Sequence, residues 1–134
     1  MNVGIEWLID AEGCSPGRLR NLDTMKRVCN LIVSELELHS VGEPVWHQFP
    51  MPGGVTGLVL LTESHLACHT YPELGVATFN LYCCRLRPEW PWEARLTEML
   101  GASRVTIRSL GRGEDLARFE EAILVESSHS GREG

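Results

Sequence analysis

Apolar and polar positions change period several times along this chain, and each change predicts an element. Residues 3–9 read as a short strand, and GCSPG at 13–17 reads as a turn. From about 19 to 38, Leu22, Met25, Val28, Cys29, Leu31, Ile32, Val33, Leu36 and Leu38 recur mainly at steps of three and four, predicting a helix with one broad buried face. Met25, Val28 and Cys29 are then core residues. Strand-like runs follow at 44–49, 55–61, 65–70 and 76–83, with reversals at PMPGG (50–54) and YPELG (71–75). Pro88 and Pro91 set the start of a second helix over 92–100, with Trp90 and Trp92 anchoring it in the core, and Gly101 marks its end. A last strand is expected at 104–110 and a short further helix at 115–125, and the polar tail 123–134 is expected to be disordered. This order predicts an α+β two-layer sandwich, an antiparallel sheet with helices packed on one face, forming a single domain over 1–122. The other sheet face then needs cover or a partner.

Composition narrows the partners. A chain of 134 residues with 43% hydrophobic content suits one core, and its net charge of −6 gives no basic field for nucleic acid or anionic lipid. No apolar run approaches the roughly 20 residues that span a bilayer, and MNVGIEWLIDAEG lacks the pattern of a signal peptide, so a cytoplasmic location is expected. Five cysteines, at 14, 29, 68, 83 and 84, are an odd number without framework spacing, and in that compartment they stay thiols. Adjacent Cys83 and Cys84 on a strand point to opposite faces, so only one of them looks into a given site.

The run LLTESHLACHTYPE at 60–73 crowds Glu63, Ser64, His65, Cys68 and His69 into one strand-like stretch. Three readings stand side by side. The residues form a half-buried strand with satisfied histidines. Alternatively His65 and His69, four apart and on one face, bind a metal with Cys68 or the Cys83–Cys84 pair, although HExxH and CxxC patterns are absent and no metal is expected. In the third, Ser64 is a nucleophile with a histidine as its base, although no GxSxG elbow surrounds it.

TESHLACHTYPELGVATFNLYCC, with GGVTGLVLL before it, resembles the core of the short prokaryotic S-adenosylmethionine decarboxylases, and the resemblance extends back to WLIDAEGC. It implies a proenzyme that breaks its own Glu63–Ser64 bond. Ser64 would attack the Glu63 carbonyl, the amide would become an ester, and elimination would leave residue 64 as a covalent pyruvoyl group, the cofactor. By position, Thr56 would donate to the oxyanion and His69 would act as base during processing. The substrate amine would condense with the ketone to a Schiff base, and Cys84 would return a proton after carbon dioxide leaves. Cys83 would be structural. The product would serve spermidine synthesis.

Parity adds a reading independent of the resemblance. Ser64 and His69 lie five apart, so on one strand they face opposite ways, and a neighbouring chain is the natural source of the histidine. The family resemblance likewise implies a homodimer with shared sites. Ser64 and Cys84 of one protomer would then meet Thr56 and His69 of the other.

The substrate side departs from the family. Glu12 in AEGC stands where relatives carry an aromatic, the loop holding Phe49 is one residue longer, Asn80 replaces a common Asp and Arg85 a common Gly. Phe49, Tyr71 and Trp46 remain as rings for an adenine and a sulfonium, with Phe49, Tyr71 and Glu12 as the substrate-binding candidates. Glu12 would instead suit the cationic end of L-arginine or L-ornithine, substrates of some relatives. A silent, uncleaved regulatory paralogue is the reading from another class.

Overall fold

A computed structural model describes residues 3–113. The 115–125 helix and the 123–134 tail expected from sequence lie outside the described residues.

The chain opens with β1 (Gly4–Glu12), longer than expected because alternation continues past Ile9. Ile5, Trp7, Ile9 and Ala11 share one face, while Glu6, Asp10 and Glu12 share the other. The expected single helix over 19–38 is two. Ser15 caps α1 (Pro16–Leu19), whose first residue is a proline suited to that place, and Asn21 caps α2 (Leu22–Glu35) by accepting the Thr24 N–H at 3.0 Å. Two caps six residues apart force the break, and they turn the expected 13–17 loop partly helical. Met25, Val28, Cys29 and Ile32 form the buried stripe of α2, as the periodicity required.

Strands β2 (Val45–Gln48), β3 (Val55–Leu60), β4 (Ser64–Tyr71) and β5 (Val76–Cys83) follow, then α3 (Trp92–Leu100) and β6 (Arg104–Arg112). The sheet runs β2-β3-β4-β5-β1-β6, antiparallel at every pairing. Helix α3 ends at Gly101, whose φ of 73° is the left-handed value that favours glycine at this position. Gly57 is required for a different reason: a Cβ there would lie 2.3 Å from the Trp46 ring.

The core lies between the sheet and the helices. Ile9, Val59, Leu66, Phe79 and Leu81 meet Met25, Val28 and Ile32 of α2 and Leu96 and Leu100 of α3. Trp90 and Trp92 are buried edge to face, and the Trp90 indole donates to Glu35 at 2.7 Å. The architecture is the α+β sandwich read from the sequence, with the described helices α1, α2 and α3 on one side. Among the described residues no helix is long and apolar enough to cross a membrane.

The opposite sheet face carries Thr56, Leu58 and Leu60 of β3, His65, Ala67 and His69 of β4, and Asn80 and Tyr82 of β5. Leu58 and Leu60 are about half exposed there, at 50% and 58%. Along its β1–β6 margin, Asp10 pairs with Arg108, and Glu12 with Arg104.

Candidate active site

Two clefts form at opposite ends of β4. The first surrounds its entry and is lined by Glu6, Glu63, Ser64, His65, Tyr82, Cys84 and Arg112. Ser64 begins the strand, half-buried, with Cys83 directly across on β5. Cys83 is buried and Cys84, one residue on, is exposed, so the alternation expected for this pair holds. Burial pushes the Cys83 thiol above its ordinary range. The neighbouring Cys84 adds to this, while Arg87 and a hydrogen bond from Ser64 oppose it. Cys83 is therefore a neutral, core-facing thiol, and Cys84 is the one that opens onto the cleft.

The Glu63 carbonyl, which Ser64 would have to attack, accepts the Cys84 N–H at 2.9 Å. A donor already aimed at that oxygen is what an oxyanion would need. Sequence reading missed this donor because a main-chain amide leaves no residue signature. The Glu63 carboxylate pairs with Arg85 at 2.6 Å.

Glu6, Asn80 and Arg112 form a polar cluster in this cleft that sequence reading also missed. Asn80 donates to the Glu6 carboxylate at 2.6 Å and Arg112 pairs with its other oxygen. The Asn80 hydrogen bond, then Arg112, hold the Glu6 carboxyl below its usual range against a smaller opposing effect of burial, and His65 adds to the lowering. His65 stacks flat on Tyr82, with centroids 5.6 Å apart. Parity was the available signal: Glu6, His65, Asn80 and Tyr82 share the open face.

The second cleft, of about 420 Å³, lies at the far end of β3 and β4 and is lined by Phe49, Thr56, His69, Tyr71 and Glu73 among others. Thr56 and His69 are cross-strand partners, and the Thr56 hydroxyl lies 3.1 Å from His69 Nδ1. Five strand residues separate His69 from Ser64, about 16 Å along β4, and the two side chains leave opposite faces. The structure thus joins Phe49 and Tyr71 to Thr56 and His69, and joins Ser64 to Glu63 and Cys84, but does not bring the two groups together within one chain.

Other candidates fall elsewhere. Glu12 lines neither cleft and is engaged by Arg104 at 3.9 Å. His65 and His69 share the open face, whereas Cys68 faces the core, its sulfur 3.8 Å from that of Cys29, so the residues of the metal reading do not converge. That thiol contact, followed by burial, raises Cys29 well above its ordinary pKa.

An antiparallel α+β sandwich here carries a glutamate–serine bond at a strand entry, a hydrogen bond on its carbonyl and an exposed thiol beside it, the arrangement that the resemblance to carboxy-lyase proenzymes leads one to expect. The family model for S-adenosylmethionine decarboxylase matches residues 5–113. An S-adenosylmethionine decarboxylase proenzyme of Caldicellulosiruptor saccharolyticus is 36% identical over 126 residues, covering 92% of this chain and 95% of that one. One from Carboxydothermus hydrogenoformans is 38% identical over 108 residues, covering 78% and 84%. The crystal structure of the adenosylmethionine decarboxylase from Aquifex aeolicus superposes with a TM-score of 0.68 at 26% identity, covering 85% of this chain and 93% of that one. The chain belongs to the S-adenosylmethionine decarboxylase family.

Proposed function

We propose that this chain is a proenzyme that cleaves itself between Glu63 and Ser64, acquires a pyruvoyl group at residue 64, and decarboxylates S-adenosylmethionine. The observation that carries the reading is the Cys84 N–H on the Glu63 carbonyl, 2.9 Å long, beside a half-buried Ser64 at the strand entry. It polarises the bond that must break and holds the serine next to it. The residues therefore fit the group: a serine with an activated carbonyl before it and a thiol opening onto the same cleft. A pyruvoyl ketone supplies an electron sink for the pair released with carbon dioxide. Cys84 holds the proton that the product carbon needs, and Cys83, facing the core, packs.

His69, the base that position assigns, lies in the other cleft of the single chain, while the imidazole of this cleft, His65, is stacked on Tyr82; a second copy would supply His69. In a homodimer joined through the open sheet faces, Thr56 and His69 of the partner would reach the entry cleft, onto which Ser64 and Cys84 open at the start of β4. Thr56 occupies Nδ1 of His69, so Nε2 is the nitrogen that proton transfer would use. Phe49 and Tyr71 enter with His69 and offer ring faces to an adenine and a sulfonium, and Glu73 adds a carboxylate. The half-exposed Leu58 and Leu60 lie on the face that this pairing would cover.

S-adenosylmethionine is preferred over arginine or ornithine because the matching family and relatives are S-adenosylmethionine decarboxylases, while Glu12, the carboxylate set against a guanidinium or ammonium by position, is engaged by Arg104 and lies outside both clefts. The product would serve spermidine synthesis.

Denaturing mass spectrometry of purified protein tests the reading. Two pieces meeting between residues 63 and 64, the second beginning with a pyruvoyl group, are expected, with carbon dioxide released from labelled S-adenosylmethionine and not from labelled arginine or ornithine. An intact chain with an ordinary serine at 64 would establish the regulatory paralogue instead.

A further inference from the structure

Residue 63 is held by the two residues that leave β5. The Cys84 N–H donates to its carbonyl at 2.9 Å, and Arg85 Nε lies 2.6 Å from its carboxylate. The residues before it have other holds: the Leu61 N–H donates to the Ser64 carbonyl at 3.0 Å and the Thr62 N–H to the His39 carbonyl at 2.9 Å. In the intact chain the Arg85 pair is a surface contact, its side chains 70% and 40% exposed, and such pairs contribute little.

Cleavage changes its value. The acyl carbon of Glu63 moves from the Ser64 nitrogen to the Ser64 oxygen. Removal of the Ser64 Cα proton then expels the acyl group as a carboxylate, leaving residue 64 as a dehydroalanine. Its imine tautomer takes up one water and loses ammonia to give the ketone. Glu63 thereby becomes a chain end with two carboxylates on one residue. The new one retains the oxygen that already accepts the Cys84 N–H.

Resting on that cleavage, we infer that Arg85 and the Cys84 amide together form a receptor for the newly made C-terminus. The guanidinium has five donors in a fixed fork, enough to engage both carboxylates, and main-chain N–H groups that capture a chain-end carboxylate are a recurrent binding mode to which an arginine fork adds bidentate pairing. The receptor keeps the cut end registered against β5 beside Cys84 and keeps its second negative charge from entering the cleft unpaired. Arg85 is a positioning residue in this account. It touches no reacting atom.

The test uses cleaved protein and a broad-specificity carboxypeptidase, with loss of Glu63 from the 1–63 fragment followed by mass. Wild-type protein is expected to resist trimming. Arg85→Gln should lose Glu63 about tenfold faster, the order of one charge-assisted hydrogen bond, and Arg85→Lys should recover part of the protection. Raising salt to about 1 M should shorten wild-type protection, because the pair is exposed. Equal trimming of wild type and Arg85→Gln, both cleaved and folded, overturns the receptor while leaving self-cleavage intact. If Arg85→Gln does not fold, wild-type trimming that is indifferent to salt overturns it equally. Wild-type chains that stay whole would instead remove the cleavage on which the receptor rests.

Discussion

The two clefts at the ends of β4 are built from the same strands yet hold complementary chemistry. Among the described residues, the entry cleft has Ser64, the hydrogen-bonded Glu63 carbonyl and the Cys84 thiol, and its imidazole, His65, is stacked on Tyr82. Among the described residues, the far cleft has a hydroxyl–imidazole pair and aromatic rings but no thiol. For the proposed chemistry neither would be a complete site. Strand parity is the cause, since five residues along a pleated strand reverse the direction of the side chain and carry it about 16 Å away. In the proposed two-fold pair of chains that geometric obstacle would become a means of assembly: each entry cleft would receive a far cleft, and no lone protomer would process itself.

Substitutions break this complementarity in graded ways. Ser64→Ala in the entry cleft should abolish both cleavage and decarboxylation, and an uncleaved but active protein would refute the mechanism. In the far cleft, His69→Ala should slow cleavage by about 10²- to 10⁴-fold, the range for a lost general base. Thr56→Val should slow it less, because the Cys84 amide still serves the Glu63 carbonyl; gel-resolved cleavage rates rank the two, and a larger loss for Thr56→Val contradicts the assignment. The adjacent cysteines sharpen the comparison within one cleft. Cys84→Ala should cleave but turn over at least about 10²-fold more slowly. Cys83→Ala should keep its turnover and lose about 1 kcal/mol of stability in denaturant unfolding; turnover losses in the reverse order would make Cys83 the donor.

The smallest effect concerns Glu6. Its carboxyl is held below the usual range by Asn80 and Arg112, so its stabilising contribution is full above the unfolded pKa and fades as pH falls through the folded one. Wild type should exceed Glu6→Gln in melting temperature at pH 7, and the difference should shrink below about pH 4. A difference independent of pH would mean that Glu6 acts through packing alone.

Much of this was legible in the residues themselves. Period-two alternation located the strands, helical spacing found the α2 core stripe, and Pro91 and Gly101 bracketed α3 where the structure has it. The opposed directions of Ser64 and His69, and of Cys83 and Cys84, followed from pleating alone. The break between α1 and α2 was missed because continuous apolar spacing masked the Asn21 cap. The Cys84 amide and the Glu6–Asn80–Arg112 cluster were missed for a different reason. Each depends on register between strands distant in sequence, β4 with β5 and β1 with β5 and β6, which no local pattern specifies. Glu12 was a candidate only by position, and the same register hands it to Arg104.

Mixing Ser64→Ala with His69→Ala protein tests the shared site most directly. In a mixed dimer the His69→Ala chain keeps its serine and borrows the partner's histidine, so cleavage should appear in that chain alone, while neither mutant cleaves by itself at an appreciable rate. Mixed dimers verified by native mass spectrometry in which both chains stay whole would contradict the account, as would His69→Ala homodimers that cleave like wild type.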